Sequence, residues 1–232
     1  MYIEFILIFI LSLVLVNLVK HYAPKLEFVD IPNGRSAHVN HTPRAAGIGF
    51  YLAVAIILPL FHFNYMLTQF WTFLAIFLVF AVGVLDDHHD ISPRTKFIVL
   101  MLSTILLSFD GMTVNDLGVF FGVHITLGWF ALLFNIVAIV GFTNALNLID
   151  GLDGLAAVVS IVILGTFFVV GYTNDDFFIM LISMAFISSL LAFLVFNWNP
   201  ASIFMGDSGS LTLGFVITIL AIKSLAYVPA VS

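Results

Sequence analysis

Residues 177–196 read FFIMLISMAFISSLLAFLVF, twenty positions without a charge. About 20 apolar residues in an α-helix cross the hydrocarbon core of a bilayer, so this run is read as a transmembrane span. Working outward, further runs lie at 2–19, 46–61, 66–85, 93–109, 128–147, 155–172 and 209–222, which makes about eight spans. The fourth is short; Ser92 and Pro93 read as its N-cap and first helical position. The first carries Glu4, has no basic leader and no small-residue cleavage site, and is read as a retained span.

Composition agrees. Of 232 residues 62% are hydrophobic and 9% charged, against about 25% charged in a soluble domain. Mean hydropathy is +1.19. A soluble fold cannot hide that much apolar surface, and a net charge of −6 argues against nucleic acid. A water-soluble enzyme, a disordered chain and a nucleic-acid binder are excluded. Without cysteine there is no disulfide, thiolate metal site or thiol nucleophile. The expectation is an all-α, polytopic transmembrane helical bundle, one domain over 1–232, with residues 114–127 forming a small external β-hairpin around Gly122.

Cations orient the bundle. Lys20, Lys25, Arg35, Arg44, Arg94 and Lys96 share one face and Lys223 lies on the other, so the first face is expected to be cytoplasmic. Asp30, Asp86, Asp87, Asp90, Asp150, Asp153 and Asp207 fall on that same face, in four loops. Carboxylates gathered near a membrane are costly unless solvated, paired or metal-bound. Mg²⁺, which takes carboxylates together with substrate phosphates, resolves such a cluster, with Mn²⁺ as its alternative.

Each acidic loop has its own reading beside a plainer one. Asp86-Asp87-His88-His89-Asp90 can present two or three carboxylates to one site, or be a solvated helix end. In NALNLIDGLDG (144–154), Asn144, Asn147, Gly151 and Gly154 follow one helical stripe and Asp150 and Asp153 can share a pocket, helix capping being the alternative. In NWNPASIFMGDSGS (197–210), Gly206–Ser210 places small residues and free amides at a helix start, a natural phosphate seat; the alternative is an N-cap by Asp207 or Ser208. The first loop supplies Arg35, His38, His41 and Arg44, suited to an anionic substrate or to lipid headgroups. The carboxylates also admit an ion-coupled transporter, although transporter sites lie near the membrane midplane rather than at one face.

These stretches, with His41-Thr42-Pro43-Arg44 and Gly47, resemble the polyprenyl-phosphate N-acetylhexosamine-1-phosphate transferase family, in the family's order and across almost the whole chain. The resemblance implies transfer of N-acetylhexosamine-1-phosphate, GlcNAc-1-phosphate first, from a UDP-sugar to polyprenyl phosphate with release of UMP, at the inner membrane of a bacterium. The related phospho-MurNAc-pentapeptide transferase is the alternative; Asp90, where that branch tends to carry Lys, favours the GlcNAc type. Asp207 resembles the main Mg²⁺ ligand, with Asp87 and Asp153 as further ligands. Asp86, Asp87, Asp150 and Asp153 are the expected catalytic carboxylates, Asp87 contacting the lipid phosphate. Arg44, His41, Asn144, Asn147, Asn197 and Phe204 are the expected substrate contacts, Asn197 and Phe204 holding uracil. The sequence leaves the oligomeric state open, a homodimer being one assembly it admits. This chain is expected to lack the family's C-terminal spans and later histidine-rich loop.

Overall fold

The computed structural model describes residues 2–30, 42–120 and 123–227. Eight α-helices follow one another among them: α1 (Tyr2–Tyr22), α2 (Ala46–Thr68), α3 (Phe70–His89), α4 (Pro93–Phe109), α5 (Ala131–Ile149), α6 (Leu155–Thr173), α7 (Phe177–Asn197) and α8 (Asp207–Ser224). Seven are long and apolar enough to cross a membrane. The exception is α4, with 17 residues and Arg94 and Lys96 near its start. The all-α membrane bundle expected from the sequence is what forms.

Helix boundaries follow local chemistry. Ser92 caps α4 by accepting from the Thr95 N–H at 3.3 Å, with Pro93 at the first position, where its missing N–H costs nothing. Asp176 caps α7 through the Ile179 N–H at 3.0 Å. The second and third spans differ from expectation. Pro59 lies inside α2 and His62 leaves helical geometry (φ −132°, ψ 29°), but the helix resumes to Thr68 and only Gln69 separates it from α3. A proline removes one intrahelical bond and bends the helix without ending it when packing holds both halves.

Two short antiparallel ribbons sit at opposite ends. β1 (Val29–Asp30) pairs with β2 (Thr42–Pro43), Val29 opposite Pro43. β3 (Asp116–Phe120) pairs with β4 (Val123–Thr126), with an irregularity between Asp116 and Val119, as the expected hairpin requires, while Gly122 lies outside the described residues. The segment entering that hairpin is tied by Asn135 of α5. Its Oδ1 accepts from the Val114 N–H and its Nδ2 donates to the Val114 and Ala131 carbonyls, all at 2.7–2.8 Å. Asn135→Leu is therefore expected to destabilise the bundle by about 2–4 kcal/mol, from two orphaned buried groups of Val114, read as a lower denaturation midpoint in detergent.

α8 is the axis. Every residue from Ser208 to Leu220 is buried, and α3, α5, α2 and α6 pack around it. A helix apolar all round requires such an enclosure. Its neighbours approach closely because they present glycine. A Cβ on Gly47 of α2 would fall 2.5 Å from Gly209 Cα and closer still to the Gly209 amide nitrogen. A Cβ on Gly83 of α3 would lie 2.6 Å from the Asp207 carbonyl oxygen. These contacts bring the starts of α2 and α8 and the end of α3 to one end of the bundle, beside the start of α4 and the end of α5.

Candidate active site

The start of α8 is built by another helix. Its N-cap position is Gly206, which has no side chain to offer, and the Asp207 and Ser208 N–H groups donate instead to the two carboxylate oxygens of Asp87 of α3, at 2.7 and 3.0 Å. Gly206 sits at φ +74°, and a Cβ there would meet both Asp87 oxygens at 2.6 Å. The phosphate seat expected at Gly206–Ser210 is thus corrected. The amides of Asp207 and Ser208 are already taken by a buried anion, and the cap comes from α3 rather than from Asp207 or Ser208. The segment before it is held by the chain around α2's start: Phe204 N donates to the Pro43 carbonyl, and Ala46 N and Gly47 N donate to the Phe204 and Met205 carbonyls.

With its backbone fixed, Asp207 directs its carboxylate into a polar network. Lys96 Nζ lies 2.6 Å from Asp207 Oδ2 and 2.7 Å from Asp86 Oδ2, bridging the two. Asn147 Nδ2 donates to Asp207 Oδ1 at 3.0 Å and to Ser210 Oγ at 2.7 Å. Asp150 stands at the end of α5, half-buried. Burial, with the charges of Asp207 and Asp87 added, pushes its carboxyl up to about 8. Arg44 closes the rim, donating from Nε to the Asp87 carbonyl at 2.9 Å and pairing with Asp90 at 3.1 Å. Four of the expected carboxylates (Asp86, Asp87, Asp150 and Asp207) therefore share one neighbourhood, together with Arg44 and Asn147.

Other expected residues lie elsewhere. Asp153 Oδ2 accepts from Asn199 Nδ2 at 3.0 Å and from the Ala201 N–H at 2.9 Å, which ties the α5–α6 connection to the α7–α8 loop. Asn197 is 4% exposed; its Oδ1 accepts from the Gly154 N–H and its Nδ2 donates to the Ile203 carbonyl, so both ends of the amide hold the same two loops together rather than facing a base. Asn144 is exposed and donates to the Val140 carbonyl of its own helix. Phe204 is half-buried. His41 lies outside the described residues.

The ligand set Asp87, Asp153 and Asp207 does not assemble. Among the described residues, no three His, Cys, Asp or Glu side chains are grouped to hold a metal ion. Asp87 is engaged by two amides and Asp153 by the loop. A smaller set fits a hard divalent cation. Asp86 Oδ1 is buried without a hydrogen-bond partner, and the Lys96 ammonium already lies between Asp86 Oδ2 and Asp207 Oδ2, so this pair of carboxylates accepts positive charge. Mg²⁺ suits two carboxylates, because it completes its octahedron with water and phosphate oxygens. Lys96 was missed as a site residue. The available signal was its place in the first turn of α4, where a cation opposes the helix dipole and needs an anionic partner.

A family model described as glycosyl transferase family 4 matches residues 69–225, from the start of α3 to the end of α8. The chain belongs to glycosyl transferase family 4. A probable undecaprenyl-phosphate N-acetylglucosaminyl 1-phosphate transferase of Bacillus subtilis is 34% identical over 96% of this chain and 63% of its own length. A phospho-N-acetylmuramoyl-pentapeptide-transferase of Listeria monocytogenes is 30% identical over 94% of the chain and 73% of its own. One of Streptococcus pneumoniae is 33% identical over 78% and 59%. The chain thus spans between about three-fifths and three-quarters of these relatives. The family match includes Asp86, Asp87, Lys96, Asn147, Asp150 and Asp207 within one unbroken segment.

Proposed function

We propose that the chain transfers N-acetylhexosamine-1-phosphate, GlcNAc-1-phosphate first, from a UDP-sugar to polyprenyl phosphate, and that it does so at the cytoplasmic face of a bacterial plasma membrane. The observation that carries this reading is the Asp86–Lys96–Asp207–Asn147 network at the ends of membrane helices. Carboxylates placed there meet an acceptor whose tail is in lipid and a donor that is in water. The Bacillus relative's description supports the acceptor and the sugar.

In the reaction proposed, an oxygen of the acceptor phosphate attacks the β-phosphorus of the donor. The bond from that phosphorus to the bridging oxygen breaks, and UMP leaves with the bond's electrons. A phosphate monoester has a second pKa of about 6, so the nucleophile is already ionised and no strong base is needed. The task is to bring anions together. Lys96 supplies a fixed positive charge between two carboxylates, and Asn147 holds the Asp207 carboxylate in orientation. Arg44 pins the end of α3 and leaves a cation at the rim. Mg²⁺ held by Asp86 and Asp207 would supply charge neutralisation at the diphosphate and the leaving UMP.

The test is a donor panel with polyprenyl phosphate and membranes carrying the chain, following UMP release with Mg²⁺ and with chelator. Release with UDP-GlcNAc supports the reading. Release only with UDP-MurNAc-pentapeptide would move it to the pentapeptide branch, and no Mg²⁺-dependent release with any donor would reject it. Lys96→Met is expected to lower transfer by about 10–100-fold, the scale of losing one charge-assisted contact at a reacting anion. Unchanged turnover would remove Lys96 from the mechanism.

A further inference from the structure

We propose that the end of the bundle opposite the acidic site binds a zwitterionic lipid headgroup, one that joins a primary ammonium to a phosphate. There, the junction of α2 and α3, the end of α4 and the end of α8 border an open cleft of about 460 Å³, lined by Gln69, Asp110, Asn115, Asp116, Ile222 and Lys223 among others. That volume is in the range of small-molecule sites, about 300–1,000 Å³. None of these residues takes part in the site described above.

The lining asks for donors and for one anion. Gln69 Oε1 is buried and has no hydrogen-bond partner. Such an acceptor costs about 1–3 kcal/mol unless a donor reaches it. Asp110 accepts from the Thr72 N–H at 2.6 Å through one oxygen, which leaves the other available. Asp116, exposed, pairs with His124 at 2.6 Å. Against these acceptors stands one cation, Lys223. It rests over the Phe178 ring at 5.5 Å and lies 3.5 Å from Asp176, a loose pairing that leaves it able to take a phosphate. An ammonium with three N–H donors matches Gln69 and Asp110, and a neighbouring phosphate matches Lys223.

The source is a lipid rather than a free solute because of what flanks the cleft. Phe70, Trp71 and Phe109 are exposed beside Gln69 and Asp110, and their rings pack at 5.2 and 5.3 Å. Tryptophan at a helix end marks the headgroup level of a bilayer, and Trp71 supplies it here with Phe70 and Phe109 packed against it. A choline headgroup has no N–H to give Gln69 Oε1, and a glycerol headgroup has no cation to give Asp110. Phosphatidylethanolamine has both.

The experiment is native mass spectrometry of the full chain released from nanodiscs holding equal phosphatidylethanolamine, phosphatidylcholine and phosphatidylglycerol, with melting temperature recorded in each lipid. Retention of phosphatidylethanolamine about tenfold over the other two is expected, the scale of one hydrogen bond to a charged group. Gln69→Leu should bring the ratio near parity without lowering the melting temperature in phosphatidylcholine. Asp110→Asn, which keeps an acceptor for Thr72, should do the same. Equal retention of the three lipids by the unaltered chain would overturn the proposal, as would a preference that survives Gln69→Leu. Stabilisation by soluble glycerophosphoethanolamine without lipid retention would also overturn it, by showing a solute site.

Discussion

Asp207→Ala is expected to reduce Mg²⁺-dependent UMP release on the order of a thousandfold or more, the scale of removing a fixed group that stabilises transition-state charge, with little change in melting temperature. The separation arises because Asp207 holds the fold through its backbone and the site through its side chain. Its N–H donates to Asp87 whatever the side chain is, whereas only its carboxylate meets Lys96 and Asn147. Asp87→Ala should behave oppositely. It would leave the Asp207 and Ser208 amides without an acceptor, at about 1–3 kcal/mol each, and the thermal midpoint should fall along with activity. Two motif-borne aspartates that meet in space are thus distinguished by a melt and an assay on the same two proteins. Wild-type turnover in Asp207→Ala would discard the carboxylate from the mechanism.

Gly47→Ala is expected to cost about 2–4 kcal/mol and to lower activity with it, since overpacking a rigid contact costs about 1–3 kcal/mol and more where backbone is struck. The added methyl would meet the Gly209 backbone rather than a side chain that can turn away. α2 and α8 would have to separate, carrying Arg44 away from Asp87 and loosening the Ala46–Phe204 and Gly47–Met205 bonds. Gly141→Ala, where nothing lies within 4 Å of the added atom, is the control and should leave the midpoint unchanged or slightly raised. Equal midpoints for Gly47→Ala and wild type would show that the two helices do not meet as described.

Much of the fold was readable because membrane burial is a local property. Each span had to carry its own run of apolar residues, and each acidic loop had to fall between runs. The kink of α2 was less readable. Pro59 was visible, but whether the helix would stop or bend depended on how Thr68 and Phe70 were held. Asp207 was identifiable as a site residue from its glycine-rich setting, and Asn147 from its stripe on α5. Lys96 was counted as an orienting charge, since nothing next to it in the chain shows the two carboxylates it bridges. Asp153 and Asn197 were expected as ligand contacts because their motifs resemble those of the family. Their hydrogen bonds to Asn199, Ala201, Gly154 and Ile203 show them joining two loops.

By itself the amino-acid order determined that this chain lives in a membrane, where its helices run, and that its aspartates collect at one end, because hydrophobic length and charge placement are carried by neighbouring residues. Only tertiary structure decided which aspartate caps a helix and which turns its carboxylate to Lys96 and Asn147, since Asp87 and Asp207 are 120 positions apart and the hydrogen bond that sorts their roles exists only when α3 lies against α8.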